Sequence, residues 1–104
     1  MVRNMPIAKR WSKFTWDKLD EVPDVYGVYE LGDAKGNVIY IGSGRLRNRL
    51  RYWKSINDPC IMRARMFRYE KICSEKRCRQ RERALLKKYF RKYGRLPKCN
   101  KRIG

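Results

Sequence analysis

A chain of 104 residues has room for one domain and one small core. Repeat arrays, α/β barrels and two-domain arrangements are excluded. Lys and Arg number 28 against 10 Asp and Glu, a formal net charge of +18, and 42% of the residues are hydrophobic. That hydrophobic share is enough to fold, and the charge calls for a polyanionic partner rather than a membrane. Histidine is absent, which excludes Ser-His-Asp and Cys-His triads, histidine-ligated zinc and histidine general bases.

The excess charge is unevenly placed. Residues 1–44 carry six basic and six acidic residues, whereas residues 45–104 carry 22 basic and four acidic ones. Residues 1–10 read as a loose polar arm. No apolar run there or later approaches the length of a membrane span or a signal peptide core, so the expected location is cytoplasmic. In that compartment Cys60, Cys73, Cys78 and Cys99 are expected as reduced thiols, and their spacing lacks the paired C-x2-C knuckles of a zinc site.

Residues 15–21 suit a short helix capped by Thr15 and ended by Pro23. Tyr26–Leu31 and Val38–Gly42 are strand-like, with the turn composition Gly32-Asp33-Ala34-Lys35-Gly36-Asn37 between them. An even loop centred on Ala34 and Lys35 predicts Leu31 opposite Val38 and Tyr29 opposite Tyr40, with both phenols on one face. Residues 45–56 form a predicted helix whose apolar stripe is Leu46, Leu50 and Trp53. Among its arginines, Arg49 lies at the edge of that stripe, held against the core.

Residues 66–72 alternate and predict a third strand. Residues 75–93 predict the longest helix, with Ser74 as N-cap and Gly94 as the C-terminal stop. On that helix Cys78, Leu85, Leu86, Tyr89, Phe90 and Tyr93 make an apolar arc, and Glu82 falls near its middle. A carboxylate so placed needs a cation partner or a metal.

These residues, taken in order, resemble the GIY-YIG endonuclease domain. Gly27-Val28-Tyr29 and Tyr40-Ile41-Gly42 match its two tripeptides, and Arg49 falls at its catalytic arginine. Glu82, followed by Leu85-Leu86 and Lys88-Tyr89, matches its metal-binding glutamate, and Pro97-Lys98-Cys99-Asn100 resembles its closing Pro-x-Tyr-Asn element. The resemblance spans residues 26–100. It implies an α+β fold, a small three-stranded antiparallel sheet flanked by helices, with residues 1–24 as an arm and short helix and residues 25–104 as the nuclease-like domain. Ser43 stands where the repair branch often has lysine. Trp53 stands where many members have Tyr or His, so the auxiliary role there goes to Tyr52. Cys99 replaces an aromatic residue.

The implied activity is hydrolysis of a phosphodiester bond in duplex or branched DNA. Glu82 would hold one Mg²⁺ or Mn²⁺, Arg49 would clamp a phosphate oxygen, and a phenol would activate water, Tyr29 first and Tyr40 second. Gly42 and Asn100 are auxiliary positions. No second carboxylate lies near Glu82 in sequence, which disfavours a two-metal scheme. Arg45, Arg47, Arg51, Lys54, Arg79, Arg83, Lys87 and Lys98 are candidates for phosphate contact, which positions DNA without reading sequence. Specificity would then come from a protein partner or a dimer. The competing expectations are a non-catalytic basic protein that binds RNA or DNA, and a nuclease-like scaffold that has lost activity.

Overall fold

The computed structural model describes residue 7 and residues 9–100. Four strands, β1 (Ser12–Lys13), β2 (Tyr26–Gly32), β3 (Val38–Arg45) and β4 (Met66–Lys71), form one antiparallel sheet in the order β1-β4-β2-β3. The sheet therefore has one strand more than predicted. The addition is the two-residue β1, too short to carry an alternating signal, which pairs Ser12 with Phe67 and Lys13 with Met66. The helices are α1 (Trp16–Asp20), α2 (Leu46–Ser55) and α3 (Glu75–Tyr93), with a 3-10 turn at Ile61–Arg63. The α+β class and the three predicted helices stand.

The helix ends follow the capping chemistry. Thr15 Oγ1 accepts from the Lys18 N–H at 3.4 Å, and Ser74 Oγ accepts from the Arg77 N–H at 3.2 Å. Gly94 closes α3 with φ +74°, a left-handed conformation that costs a side-chain-bearing residue far more. No side chain caps α2. It leaves β3 directly, and the Leu46 N–H donates to the Val25 carbonyl at 2.8 Å.

The hairpin register differs from the even-loop expectation. The loop closes through the Asp33 N–H on the Asn37 carbonyl, and the Asp33 carboxylate accepts the Lys35 and Asn37 N–H groups, each at 2.9 Å. This makes an odd-length loop, and a further irregularity falls between Leu31 and Gly32. Leu31 consequently faces Tyr40, and Tyr29 faces Gly42. The displacement is two residues, so every side chain keeps its face, and the two phenols still share one side, now diagonally.

The sheet separates two apolar layers. On one side Leu19 and Val22 from the α1 region and Leu46 and Leu50 from α2 pack on Tyr29, Leu31 and Phe67. On the other, Leu85 and Leu86 of α3 pack on Val28 and Ile41 together with Ile7. Each fully buried leucine contributes about 2 kcal/mol. Most of the predicted loose arm lies outside the described residues, but Ile7 is buried in the α3 layer. Among the described residues no helix is long and apolar enough to cross a membrane.

The expectation of four reduced thiols is corrected. Cys60 and Cys99 form a disulfide, while Cys73 and Cys78 remain free. Residues 97–100 return along the outer edge of β3, where the Cys99 N–H donates to the Ile39 carbonyl at 2.8 Å. That return brings Cys99 beside the loop preceding the 3-10 turn, a proximity that sequence spacing does not contain. The bridge closes a separation of 39 residues, for which the chain-entropy relation gives about 4 kcal/mol. Cys99→Ser is therefore expected to lower unfolding stability by about that amount in non-reducing urea titrations. Dithiothreitol should impose the same loss on wild type and none on the variant; equal responses of the two would refute the bridge.

Candidate active site

The outer strand β3 places the site. Gly42 lies directly beneath the aromatic layer: a Cβ there would sit 2.5 Å from the Tyr29 hydroxyl oxygen and 2.8 Å from Tyr40 Cε2. Only the absence of a side chain lets both phenols lie across the strand. Gly44, at φ +136°, then turns the chain into α2, and a Cβ on it would come within 3.0 Å of Arg49 Cγ.

From α2, Arg49 lays its guanidinium over the rings of Tyr52 and Trp53, 4.9 and 5.5 Å from their centroids. These contacts hold a half-buried cation that forms no ion pair among the described residues. Trp53 also donates from Nε1 to the Tyr29 hydroxyl at 2.7 Å, and its ring lies 4.9 Å from that of Tyr40. From α3, on the other side of the sheet, Glu82 accepts a short hydrogen bond from the Ser43 hydroxyl. Glu82 lines a pocket of about 200 Å³ with Ser43, Gly44, Cys78, Arg79 and Arg83, among others. Among the described residues it forms no ion pair. It is half-buried in the lining of that pocket rather than in the core.

The two phenols are not equivalent. Tyr29 is 1% exposed, and burial, then the neighbouring Tyr40, hold its pKa well above the ordinary phenol value, against the Trp53 hydrogen bond and Arg49. Tyr40 is only partly buried. Burial and the charge of Glu82 raise its pKa, while Arg49 and a hydrogen bond with Tyr29 oppose the rise. Tyr40 is thus the phenol on which the charges of both Arg49 and Glu82 act, from opposite sides of β3.

The auxiliary positions divide. Tyr52 is exposed and lies under Arg49. Asn100 accepts the Ile41 N–H at 2.9 Å and donates to the Ile41 carbonyl at 3.0 Å, a strand-like pairing that holds β3 rather than reaching into the cleft. Trp53 and Ser43 are the residues that sequence reading passed over. Each stands where a motif position carries an unexpected residue type, and that was their signal.

The candidate phosphate contacts are dispersed. Arg79 and Arg83 stand beside Glu82, with Arg79 also paired to Glu75 at 3.3 Å. Arg45 pairs with Asp24 at 3.0 Å, Arg51 with Asp20 at 2.6 Å, and Arg47 donates to the Val22 carbonyl. Lys54 covers the Phe14 ring. Lys87 is exposed, and Lys98 lines a separate cavity. The exposed ion pairs are weak enough for a phosphate to displace the carboxylate.

The fold is a small α+β domain with Tyr40 and Arg49 on one face of its outer strand and the Glu82 pocket on the other. Residues 5–92 match the family described as a domain of unknown function, DUF7508, and the chain belongs to that family. It is also 38% identical over 93 residues to UvrABC system protein C of Ruminiclostridium cellulolyticum, covering 82% of this chain and 15% of that protein. A second match, to UvrABC system protein C of Carboxydothermus hydrogenoformans, is 36% identical over 52 residues, covering 49% of this chain and 9% of that protein. The chain thus spans less than a sixth of the length of these relatives.

Proposed function

We propose that this domain is a metal-dependent DNA endonuclease of the GIY-YIG type. The observation that carries the reading is the cluster of Tyr29, Tyr40, Trp53 and Arg49 on one face of β3, with Glu82 hydrogen-bonded to Ser43 of the same strand, in a chain of net charge +18. The matches to UvrABC system protein C add to it.

The donor set suits one hard cation. Glu82 offers a carboxylate at the mouth of a pocket and has no competing cation partner among the described residues. Mg²⁺ is commonly held by one or two carboxylates, with water and phosphate oxygens completing its shell. Glu82 would hold Mg²⁺ or Mn²⁺, and the bound ion would supply Lewis-acid stabilisation of charge on the phosphate and leaving oxygen. Ser43 orients the carboxylate through its hydroxyl.

Arg49 clamps a non-bridging phosphate oxygen with its planar fork, its plane fixed by Tyr52 and Trp53. Tyr40 takes the proton of the attacking water. Tyr29 is too buried and too well engaged with Trp53 for that role, and instead packs beside the Tyr40 ring, centroids 6.1 Å apart. This reverses the order of preference drawn from sequence, and the cause is burial.

Nicking of supercoiled plasmid with Mg²⁺ or Mn²⁺ tests the reading. Wild type should nick, EDTA should stop it, and Arg49→Ala should slow it by about a hundred- to a thousandfold. Arg49→Lys should recover little, since an ammonium lacks the planar fork. Tight DNA binding without any cleavage would instead leave a non-catalytic nucleic-acid-binding domain.

The pH dependence follows from the phenol. Burial and the charge of Glu82 hold the Tyr40 pKa above the ordinary phenol value, so the phenolate is scarce at pH 7 and each pH unit multiplies it about tenfold. Single-turnover cleavage is therefore expected to climb from pH 7 to 9 with a slope near one in logarithmic units. A flat profile with chemistry limiting would remove the tyrosine base.

A further inference from the structure

A second cavity, of about 510 Å³, opens at the far end of the α3–β3 groove, away from Glu82. Its walls include Tyr89 and Tyr93 of α3, with ring centroids 4.4 Å apart, and its rim carries Lys88, Lys92, Arg95 and Lys98. Tyr93 is 50% exposed, and the Arg95 guanidinium donates to the Tyr89 hydroxyl at 3.3 Å. None of the four rim cations forms an ion pair among the described residues.

The floor has the opposite character. Glu30 is 4% exposed and is paired with Arg68 at 2.7 Å. Asp33 also lines the cavity, but its carboxylate is occupied by the hairpin turn. A phosphate at the floor would meet the Glu30 carboxylate, whereas one at the rim meets cations that form no ion pair among the described residues. A flat, neutral aromatic group is suited to the interior, against the tyrosine rings. An aromatic pair, Tyr89 half-buried and Tyr93 exposed, inside a ring of cations is the chemistry that holds single-stranded nucleic acid: stacking for the base, cations for the backbone.

We propose that this cavity receives an unpaired nucleotide of a single-stranded segment, its base against Tyr89 and Tyr93 and its backbone along Lys88, Lys92 and Lys98. From Glu82 to Tyr89 is seven residues of helix, about 10 Å at 1.5 Å per residue. That span corresponds to about three nucleotides of stacked strand at about 3.4 Å each. The inference deepens the nuclease reading, on which its biological sense rests, by making the substrate one with an unpaired strand beside the cut.

The test is binding without metal, so that it does not depend on cleavage. A fluorescein-labelled single strand of about 12 nucleotides, and the same sequence as a blunt duplex, are titrated in EDTA and followed by anisotropy. Tyr93→Ala is expected to weaken single-strand binding about tenfold and duplex binding less than twofold. Tyr93→Phe, which keeps the ring, should bind as wild type. Phe90→Ala, equally exposed on the same helix but outside the cavity, should change neither. The double variant Lys88→Gln, Lys92→Gln should reduce the single-strand salt slope by about 1.4.

Equal losses on both ligands, or no loss on the single strand, would overturn the proposal. So would a Tyr93→Phe variant as weak as Tyr93→Ala. If wild type fails to nick plasmid yet shows this discrimination, the nuclease reading falls and the single-strand cavity stands.

Discussion

Glu82→Gln is expected to lower cleavage by about a thousandfold or more, about 4 kcal/mol of transition-state stabilisation, while leaving DNA affinity intact or slightly tighter. The amide keeps nearly the shape of the carboxylate and can still accept from the Ser43 hydroxyl, so the pocket should hold its form. It loses the negative charge that a hard cation requires. The net charge of the chain becomes more positive by one, which favours phosphate contact. Activity and affinity therefore move in opposite directions. A variant that lost both together would place Glu82 among structural or DNA-contacting residues. Plasmid nicking across a Mn²⁺ titration, with affinity measured in EDTA, separates these results.

Gly42→Ala carries the second large effect. Gly42 has no positive φ among the described backbone angles, so alanine meets no conformational penalty there and the whole cost is one of space. Its methyl group would lie 2.5 Å from the Tyr29 hydroxyl oxygen, 2.6 Å from Cζ of the same ring and 2.8 Å from Tyr40 Cε2. Tyr29 is fixed by Trp53 and enclosed by the core, and therefore cannot yield cheaply. Overpacking of this kind costs about 1–3 kcal/mol of stability. Cleavage should fall further, by about a hundredfold or more, since a 1 Å displacement of a reacting group is enough for that. Urea unfolding together with single-turnover nicking measures both. Full cleavage with wild-type stability would show that the phenols do not depend on this glycine.

What could be read in the sequence was whatever depends on local chemistry. α3 was legible from end to end, because Ser74 and Gly94 are capping residues and the apolar stripe between them is long. Tyr29, Tyr40, Arg49 and Glu82 stood out by spacing and charge. The hairpin register was not legible, because the odd-length loop arises from the Asp33 side chain competing for backbone N–H groups. Nor was the pairing of Cys60 with Cys99, which depends on the last segment returning along β3. The proposed exchange of roles between Tyr29 and Tyr40 rests on burial, and burial is decided by where α2 packs. Asn100 was marked by its motif, yet its work, pairing with Ile41, belongs to the scaffold.

That pairing has a consequence for how the molecule meets others of its kind. β3 is an outer strand, and its free side would ordinarily offer unpaired N–H and C=O groups to any extended chain. Here the Asn100 amide occupies both groups of Ile41, and the Cys99 N–H occupies the Ile39 carbonyl. At the other margin β1 is only two residues long. Among the described residues, the Ile39–Ile41 stretch of β3 is thus covered against strand addition, and the opposite margin offers an edge strand of only two residues. A chain so crowded with positive charge can gather densely on a polyanion with little open sheet edge between copies, and a partner approaches through side chains on the helices or the cleft.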